Sequence, residues 1–312
     1  MTSTQTIRIG TRGSALARTQ TATVAALLDR PVEIVPIVTD GDRSAEALTQ
    51  LGGTGVFVSA LRAALLAGEI DVAVHSYKDL PTAAEDDIVI AAVPVREDPR
   101  DALVARDGLT LGELPAGSRI GTGSPRRAAQ LRALGLGLEI VPLRGNVDTR
   151  LGRVASGDMD AIVLALAGLR RLGRAGEVTE ILDPIQVLPA PAQGALAIEC
   201  RASDDAVIAV LASLDDADTR AAVAAERALL VALEAGCSAP VGGLAEITVG
   251  DSADDVEIFE VFLRGSVTAV DGSDAVRLSA TGPVTDADGV GRRLAADLLA
   301  DGAAQLMMES SQ

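Results

Sequence analysis

Residues 72–81 of the chain read Val-Ala-Val-His-Ser-Tyr-Lys-Asp-Leu-Pro. The apolar run that ends at Val74 is rich in β-branched residues, which is typical of a short buried strand. Polar side chains follow at once, among them the only His, Tyr and Lys of the chain. Because ligands of open α/β sheets collect beyond the carboxyl ends of the strands, this segment predicts an α/β fold and a functional edge of its sheet.

Strand-like and helix-like patterns alternate on both sides of this segment. The strands of the first unit are predicted at 6–10, 32–38, 70–74 and 88–93, and its helices at 14–29, with Ser14 as N-cap, and 56–67, ended by Gly68. The order β-α-β-α-β predicts a parallel sheet covered by helices.

A second unit of the same kind begins after charges and prolines interrupt the pattern at 94–100. Its strands are predicted at 119–121, 138–143 and 161–165, and its helices at 125–133 and 147–155. A linker at 188–191 and a strand at 194–200 follow. From residue 216 the pattern changes to a helix over 218–235, three strands around 247, 259 and 278, and a final helix from about 290, which predicts an α+β domain.

The composition favours a globular protein with several domains. The chain has 312 residues, of which 48% are hydrophobic and 23% charged, and its net charge of −17 argues against nucleic acid as a partner. Residues 1–10 lack the pattern of a signal peptide, and no apolar run is long enough to span a membrane. We therefore expect a cytoplasmic protein without a membrane or nucleic-acid partner. The two cysteines, Cys200 and Cys237, fit a reducing compartment.

Arginines are concentrated at strand-to-helix junctions. Residues 119–174 contain ten Arg and four acidic residues, a local excess of six positive charges in an acidic protein. The junctions at 9–14, 121–127 and 143–150 offer helix N-termini for an anion together with Arg12, Arg126, Arg127, Arg144 and Arg150. The pattern predicts a ligand with several carboxylates or phosphates, although a solvated Arg-rich helix face would look the same. A phosphate loop is excluded because the Gly-Lys-Ser/Thr ending is missing.

Two further residues could take part directly in a reaction. Asp79 follows the strand at 70–74 and adjoins Lys78, which should keep it ionised, so it could stabilise a cation or move protons. It could equally cap the turn that Pro81 enforces. Cys237 follows a helix end in a loop bounded by glycine and proline, where a buried, inert thiol is the usual interpretation. No second Cys or His lies near it, so we expect no metal site.

Taken together, eight segments resemble the hydroxymethylbilane synthase (porphobilinogen deaminase) family, in the same order, from about residue 7 to the C-terminal helix. They are 11–14, 51–57, 75–81, 96–101, 121–127, 144–147, 191–195 and 234–242. The resemblance implies two periplasmic-binding-protein-like α/β domains plus a smaller C-terminal α+β domain. The implied bounds are 1–95 with 195–213 for domain 1, 96–194 for domain 2 and 214–312 for domain 3.

The resemblance also implies a reaction and a cofactor. The family is a transferase of porphyrin and haem biosynthesis that joins four porphobilinogen molecules into hydroxymethylbilane on a dipyrromethane held by a thioether. Cys237 matches the cofactor-bearing cysteine and Asp79 the catalytic aspartate, while Cys200 is better interpreted as structural. The residues that match or adjoin the family's other contacts are Arg12, Ser14, Ser76, Lys78, Thr122, Ser124, Arg126, Arg127, Arg144, Asn146, Arg150, Gln193 and Gly194. A monomer is expected.

Some positions depart from the family pattern. Many relatives carry lysines where this chain has Gln50 and Thr54, in a loop thought to act as a lid. Gly123, Pro125 and Asp148 replace a common serine, leucine and glycine. Two other classes stay open: a two-lobed binding protein for a small polycarboxylate, and a dinucleotide-dependent oxidoreductase, which lacks support because no Gly-x-Gly-x-x-Gly follows a strand.

Overall fold

The computed structural model describes residues 6–37, 55–83, 85–235, 239–250 and 258–308. The strands are β1 (Ile7–Thr11), β2 (Val32–Pro36), β3 (Val72–Ser76), β4 (Ile88–Ala92), β5 (Asp101–Ala105), β6 (Arg119–Thr122), β7 (Glu139–Pro142), β8 (Ala161–Ala165), β9 (Glu180–Ile181), β10 (Leu196–Arg201), β11 (Val241–Val249), β12 (Phe259–Thr268) and β13 (Ala275–Pro283). The helices are α1 (Ala15–Leu27), α2 (Gly55–Leu66), α3 (Pro125–Ala133), α4 (Val147–Ala155), α5 (Leu166–Arg171), α6 (Asp205–Leu211), α7 (Ala217–Ala232), α8 (Ala287–Ala300) and α9 (Ala303–Met308).

The chain divides into two compact units, and each is built from two separate stretches of sequence. Unit 1 comprises Met1–Arg96 and Ala195–Arg220, and unit 2 comprises Glu97–Gly194 and Ala221–Gln312. Each unit therefore contains residues that are far apart in sequence.

The sheet of unit 1 is mixed, not parallel as the alternation of elements predicts. Its strand order is β2-β1-β3-β10-β4. Strand β1 runs parallel to β2 and β3, whereas β10 runs antiparallel to β3 and β4. The physical reason is the long connection before β10. About a hundred residues separate β10 from β4, so no short right-handed crossover requires the two strands to be parallel.

Helices cover both faces of this sheet with aliphatic side chains. On one face, Val24 of α1 packs with Ile9 of β1 in a core that also contains Cys200. On the other face, Leu61 and Leu65 of α2 pack with neighbouring aliphatic residues of the sheet. The two cores hold β1 and β3 side by side, and because these strands are parallel their carboxyl ends meet at one edge.

Unit 2 repeats this plan with a second five-stranded sheet, in the order β7-β6-β8-β5-β9. Strand β6 is parallel to β7 and β8, while β5 is antiparallel to β8 and β9. Strand β5, a run of five buried residues, was not predicted, because a charged and proline-containing stretch directly precedes it. The carboxyl ends of β6 and β7 share an edge, and helices α3 and α4 begin there.

The rest of unit 2 is an antiparallel meander, β11-β12-β13, with helices packed against it. Its core is made of alanines and leucines, including Leu229 of α7 and Leu294 and Leu298 of α8. Small aliphatic side chains fill the core because the chain has only 1% aromatic residues. Two helix-covered mixed sheets and one α+β region confirm the predicted fold class.

Candidate active site

In unit 1, the turn after β1 carries the first group of predicted site residues. Strand β1 ends at Thr11, and Ser14 caps α1 by accepting a hydrogen bond from the Ala17 N–H at 3.3 Å. The Ser14 hydroxyl therefore fixes the start of the helix, as predicted. Arg12 lies half-buried in this turn, at the carboxyl end of β1.

The neighbouring strand β3 carries the second group. It ends at Ser76 and leads directly into a 3-10 turn over Tyr77–Asp79. Gln20 of α1 donates a hydrogen bond from Nε2 to the Ser76 hydroxyl at 2.8 Å. The structure thus brings the turns after β1 and β3 together, and Gln20 of α1 links them directly. This role of Gln20 was not predicted from the sequence.

Asp79 differs from its neighbours in the contacts of its side chain within the described residues of unit 1. Its side chain is half-buried, and no residue in the described part of unit 1 makes a hydrogen bond or ion pair with it. Lys78, which was predicted to hold Asp79 ionised, forms no described ion pair with it. A carboxylate at the end of a buried strand, without an ion pair in the described residues of unit 1, is suited to a cationic ligand.

A buried ion cluster lies behind this turn. Glu199 of β10 is 1% exposed, and its carboxylate accepts a hydrogen bond from Arg62 Nη2 at 2.7 Å and lies 3.2 Å from His75 Nε2. Burial opposes ionisation of Glu199, but the nearby His75 and the hydrogen-bonded guanidinium of Arg62 outweigh it and lower the pKa of Glu199 to about 2. The only His of the chain is therefore held by a buried carboxylate, one residue before Ser76.

In unit 2, the turn after β6 holds the third group. Thr122 Oγ1 accepts a hydrogen bond from the Ser124 N–H at 3.2 Å, and Ser124 caps α3 by accepting from the Arg127 N–H. Pro125 occupies the first turn of α3, as expected for a residue without an N–H. The hydroxyls of Thr122 and Ser124 are thus used to shape the junction that presents Arg126 and Arg127.

Arg126 and Arg127 themselves point into the protein. They are 3% and 5% exposed, and both donate to the carboxylate of Asp101, with Nη2–Oδ distances of 2.7 Å. Burial would raise the pKa of Asp101, but the two guanidinium groups hold it well below its usual value. The sequence pattern predicts that these arginines bind carboxylates of a ligand, and in the structure they bind a carboxylate of the protein.

The turn after β7 presents the fourth group on the same edge as the third. Asn146 caps α4 by accepting a hydrogen bond from the Thr149 N–H at 2.9 Å, and Arg150 Nε donates to the Gly145 carbonyl at 2.8 Å. Arg144 is exposed and Arg150 half-buried. Burial and the charge of Arg127 lower the pKa of Arg150, so the two guanidinium groups lie close enough to repel.

Gln193 and Gly194 complete the set in unit 2. Gln193 Nε2 donates to Asp101 Oδ1 at 2.8 Å and to the Pro99 carbonyl at 2.7 Å. The Gly194 carbonyl accepts a hydrogen bond from Arg171 Nη2 at 2.7 Å. Asp101 and Arg171 were missed because a single Asp after Pro-Arg and one Arg of a helical pair have no distinctive local pattern.

The remaining predicted residues are the two cysteines and the lid positions. Cys237, Gln50 and Thr54 lie outside the described residues. Cys200 is buried, and burial raises the pKa of its thiol to about 11, which fits the structural role expected for it. The described ranges contain no group of three or more His, Cys, Asp or Glu that could hold a metal ion. Within the same ranges no helix is long and apolar enough to cross a bilayer.

These features define an α/β protein suited to anions with several carboxylates, since arginines and helix N-termini gather at the carboxyl ends of parallel strands. The family models agree: the "Porphobilinogen deaminase, dipyromethane cofactor binding domain" model matches residues 7–209, and the "Porphobilinogen deaminase, C-terminal domain" model matches residues 220–300. The chain belongs to the porphobilinogen deaminase family, which confirms the family, enzyme class and cofactor predicted from its sequence.

Named relatives are similar over almost the whole chain. The porphobilinogen deaminase of Mycobacterium tuberculosis (strain H37Rv) is 63% identical over 304 residues, which cover 96% of this chain and 98% of that protein. The porphobilinogen deaminase of Nocardia farcinica is 60% identical, with 97% and 88% coverage. Among solved structures, the L-cystine solute receptor of Neisseria gonorrhoeae matches 68% of this chain and 86% of its own, at 18% identity and a TM-score of 0.38.

Proposed function

We propose that this chain deaminates porphobilinogen and joins four molecules of it head to tail into the linear tetrapyrrole hydroxymethylbilane. The observation that carries the proposal is the environment of Asp79, a half-buried carboxylate at the end of β3 without a partner in the described part of unit 1. Each coupling step creates positive charge on a pyrrole ring and releases a proton. A carboxylate without an ion pair in the described residues of unit 1 is suited to stabilise that charge and to move that proton.

The donors of unit 2 fit the dipyrromethane of the family. Two linked pyrroles carry four carboxylates, and the edge formed by β6 and β7 offers arginine side chains, of which Arg144 is exposed and Arg150 half-buried. When bound, the dipyrromethane supplies the free pyrrole carbon at which the chain is extended. We propose Cys237 as its thioether anchor.

The roles of the chain's own residues follow from their environments. We propose that Arg144 and Arg150 bind acetate and propionate groups directly, because neither forms an ion pair in the described residues, Arg144 is exposed and Arg150 is half-buried. Arg12, Ser76 and Lys78 stand at the same edge as Asp79 in unit 1 and are proposed to orient the pyrroles whose charge Asp79 stabilises. Charged hydrogen bonds of this type typically contribute about 1.5–3 kcal/mol each.

The proposal extends to the organisation of the protein. We propose three domains, 1–95 with 195–213, 96–194 and 214–312, in line with the three separate sheets. We also propose that the protein acts as a cytoplasmic monomer with porphobilinogen as its small-molecule substrate.

The denatured intact mass of the purified protein tests the proposal. An excess mass equal to a dipyrromethane is expected in the wild type and in Cys200→Ser, and its absence is expected in Cys237→Ser. The Cys200→Ser variant is the matched control, because it removes a buried thiol of raised pKa. An unmodified wild-type protein that gains no adduct on incubation with porphobilinogen would contradict the proposal and favour a binding protein for a small polycarboxylate.

A further inference from the structure

The cluster around Asp101 is the most extensive buried polar network in the described part of the second sheet. Asp101 is 0% exposed, and its carboxylate accepts four hydrogen bonds. Oδ1 accepts from Arg127 Nε at 3.1 Å, Arg127 Nη2 at 2.7 Å and Gln193 Nε2 at 2.8 Å, and Oδ2 accepts from Arg126 Nη2 at 2.7 Å. One carboxylate therefore fixes the orientation of two guanidinium groups.

The far sides of both guanidinium groups are anchored as well. Arg127 Nη1 donates to the Val163 carbonyl of β8 at 3.2 Å, and Arg126 Nη1 donates to the Leu188 carbonyl. With an anchor on each side, neither side chain can rotate without breaking a buried hydrogen bond. Such over-determined side chains are what precise recognition of a planar carboxylate requires.

The charges in the cluster do not balance. Two buried guanidinium groups share one carboxylate, so within the described residues one positive charge has no carboxylate partner. The charge of Arg127 also acts on its neighbour Arg150, whose pKa is lowered by burial and by Arg127. Arg126 Nε is a buried donor without a hydrogen-bond partner in the described residues. A spare charge and a spare donor, both buried, indicate that an anion from outside the chain completes the cluster.

We propose that Asp101 is a positioning residue for carboxylate recognition: it orients Arg126 and Arg127 and cancels one of their two charges. The cluster then meets a ligand carboxylate as a rigid site of net charge +1. In the family reaction that ligand is the polycarboxylate dipyrromethane, so the inference rests on the proposed function. Asp101 itself touches no ligand and acts through the arginines.

Asp71 provides a matched control for the loss of a buried aspartate between two arginines. It is 5% exposed and accepts hydrogen bonds from Arg8 Nη2 at 2.7 Å and from Arg201 Nη2 at 3.1 Å. It precedes β3 and therefore lies at the opposite end of that strand from Ser76. Asp71→Asn should lower the melting temperature without altering carboxylate recognition.

The experiment compares the rate at which apoprotein acquires the dipyrromethane. Wild type, Asp71→Asn, Asp101→Asn and Asp101→Glu are expressed in a host without porphobilinogen, incubated with porphobilinogen, and quenched at intervals for denatured intact mass. Thermal unfolding of each apoprotein is followed in parallel. We expect Asp101→Asn to acquire the adduct at least about tenfold more slowly than Asp71→Asn, the equivalent of one misaligned charged hydrogen bond.

The Asp101→Glu variant separates position from charge. It keeps the carboxylate and moves it by one methylene, so a positioning role predicts slow acquisition in this variant also, whereas a role in charge balance alone predicts the wild-type rate. If Asp101→Asn lacks a cooperative unfolding transition, Asp101→Glu carries the test with the same threshold. Acquisition by either folded Asp101 variant at the rate of Asp71→Asn overturns the inference. Failure of the wild type to acquire any adduct refutes the proposed function instead.

Discussion

Replacing Glu199 by Gln tests the buried ion cluster behind the Asp79 turn through its dependence on pH. The folded-state pKa of Glu199 is lowered from 4.5 to about 2, because hydrogen bonds and charges from His75 and Arg62 overcome the effect of burial. A depressed pKa means that the ionised carboxylate stabilises the folded state above pH 4.5, and that this contribution is lost as the pH falls towards 2.

The size of the effect follows from the two pKa values. At 1.36 kcal/mol per pKa unit, the complete contribution is about 3 kcal/mol, and about 1.5 kcal/mol of it disappears between pH 6 and pH 3.5. Glu199→Gln cannot titrate. The difference in free energy of unfolding between wild type and variant should therefore be large at pH 6 and smaller by about 1.5 kcal/mol at pH 3.5.

Urea denaturation at several pH values between 6 and 3.5 measures this difference. Glu85→Gln is the control, because Glu85 lies 3.5 Å from Arg62 Nη1 but its side chain is 49% exposed. The control should differ from the wild type by a nearly constant amount, since exposed ion pairs contribute little. A gap between wild type and Glu199→Gln that stays constant or widens on acidification would refute the assignment of a stabilising buried carboxylate.

Four further predictions concern the site residues. Gly194→Ala should lower the free energy of unfolding by more than about 2 kcal/mol, because φ is +89° and the new Cβ would lie 2.2 Å from a backbone carbonyl oxygen. Gly157→Ala is the control, since φ is +78° but the new Cβ would meet open space. Urea titration should show a smaller loss of unfolding free energy for this control. Asp79→Ala should keep the attached cofactor by intact mass yet lose about 10²–10⁴-fold in turnover, and a near-normal rate would exclude Asp79 as the catalytic carboxylate. Arg126→Leu should lower stability by about 1–3 kcal/mol as well as impairing cofactor assembly, because it removes the buried hydrogen bonds to Asp101 and to the Leu188 carbonyl while Arg127 and Gln193 still pair with Asp101. Exposed Arg144→Leu should impair assembly or chain growth at nearly unchanged melting temperature, and normal extension in both variants would argue against an anion site.

Local features of the fold could be predicted from the sequence because their causes are local. Helices α3 and α4 begin and end at the predicted residues, and the side chains of Ser124 and Asn146 cap them. Strand direction could not be predicted in the same way. The placement of β10 between β3 and β4 depends on backbone pairing with residues more than a hundred positions away, such as Ile198 with Val74.

In the candidate site, too, the positions of residues along the chain could be predicted, whereas their hydrogen-bond and ion-pair partners could not. Sequence patterns placed Ser14 and Asp79 at strand ends, because a strand followed by a turn can be identified from neighbouring residues. They did not identify Asp101 as the partner of the arginines, since the first residue of β5 is hidden behind a proline and an arginine. They also predicted an interaction of Lys78 with Asp79, and the described structure shows no ion pair between these two side chains.

The arginine-rich region illustrates why a count of charges cannot locate a binding site. Several of its arginines are neutralised within the protein, as Arg153 is by Asp158 and Arg174 by Asp148. Arg126 and Arg127 share one buried carboxylate, so only one of their two charges remains. Arg144 and Arg150 combine a place at the carboxyl edge of the sheet with the lack of an ion pair in the described residues. The net charge of the region therefore overstates the number of ligand-binding groups. What determines anion recognition is the charge that remains after internal pairing, and in unit 2 that remainder lies where β6 and β7 end.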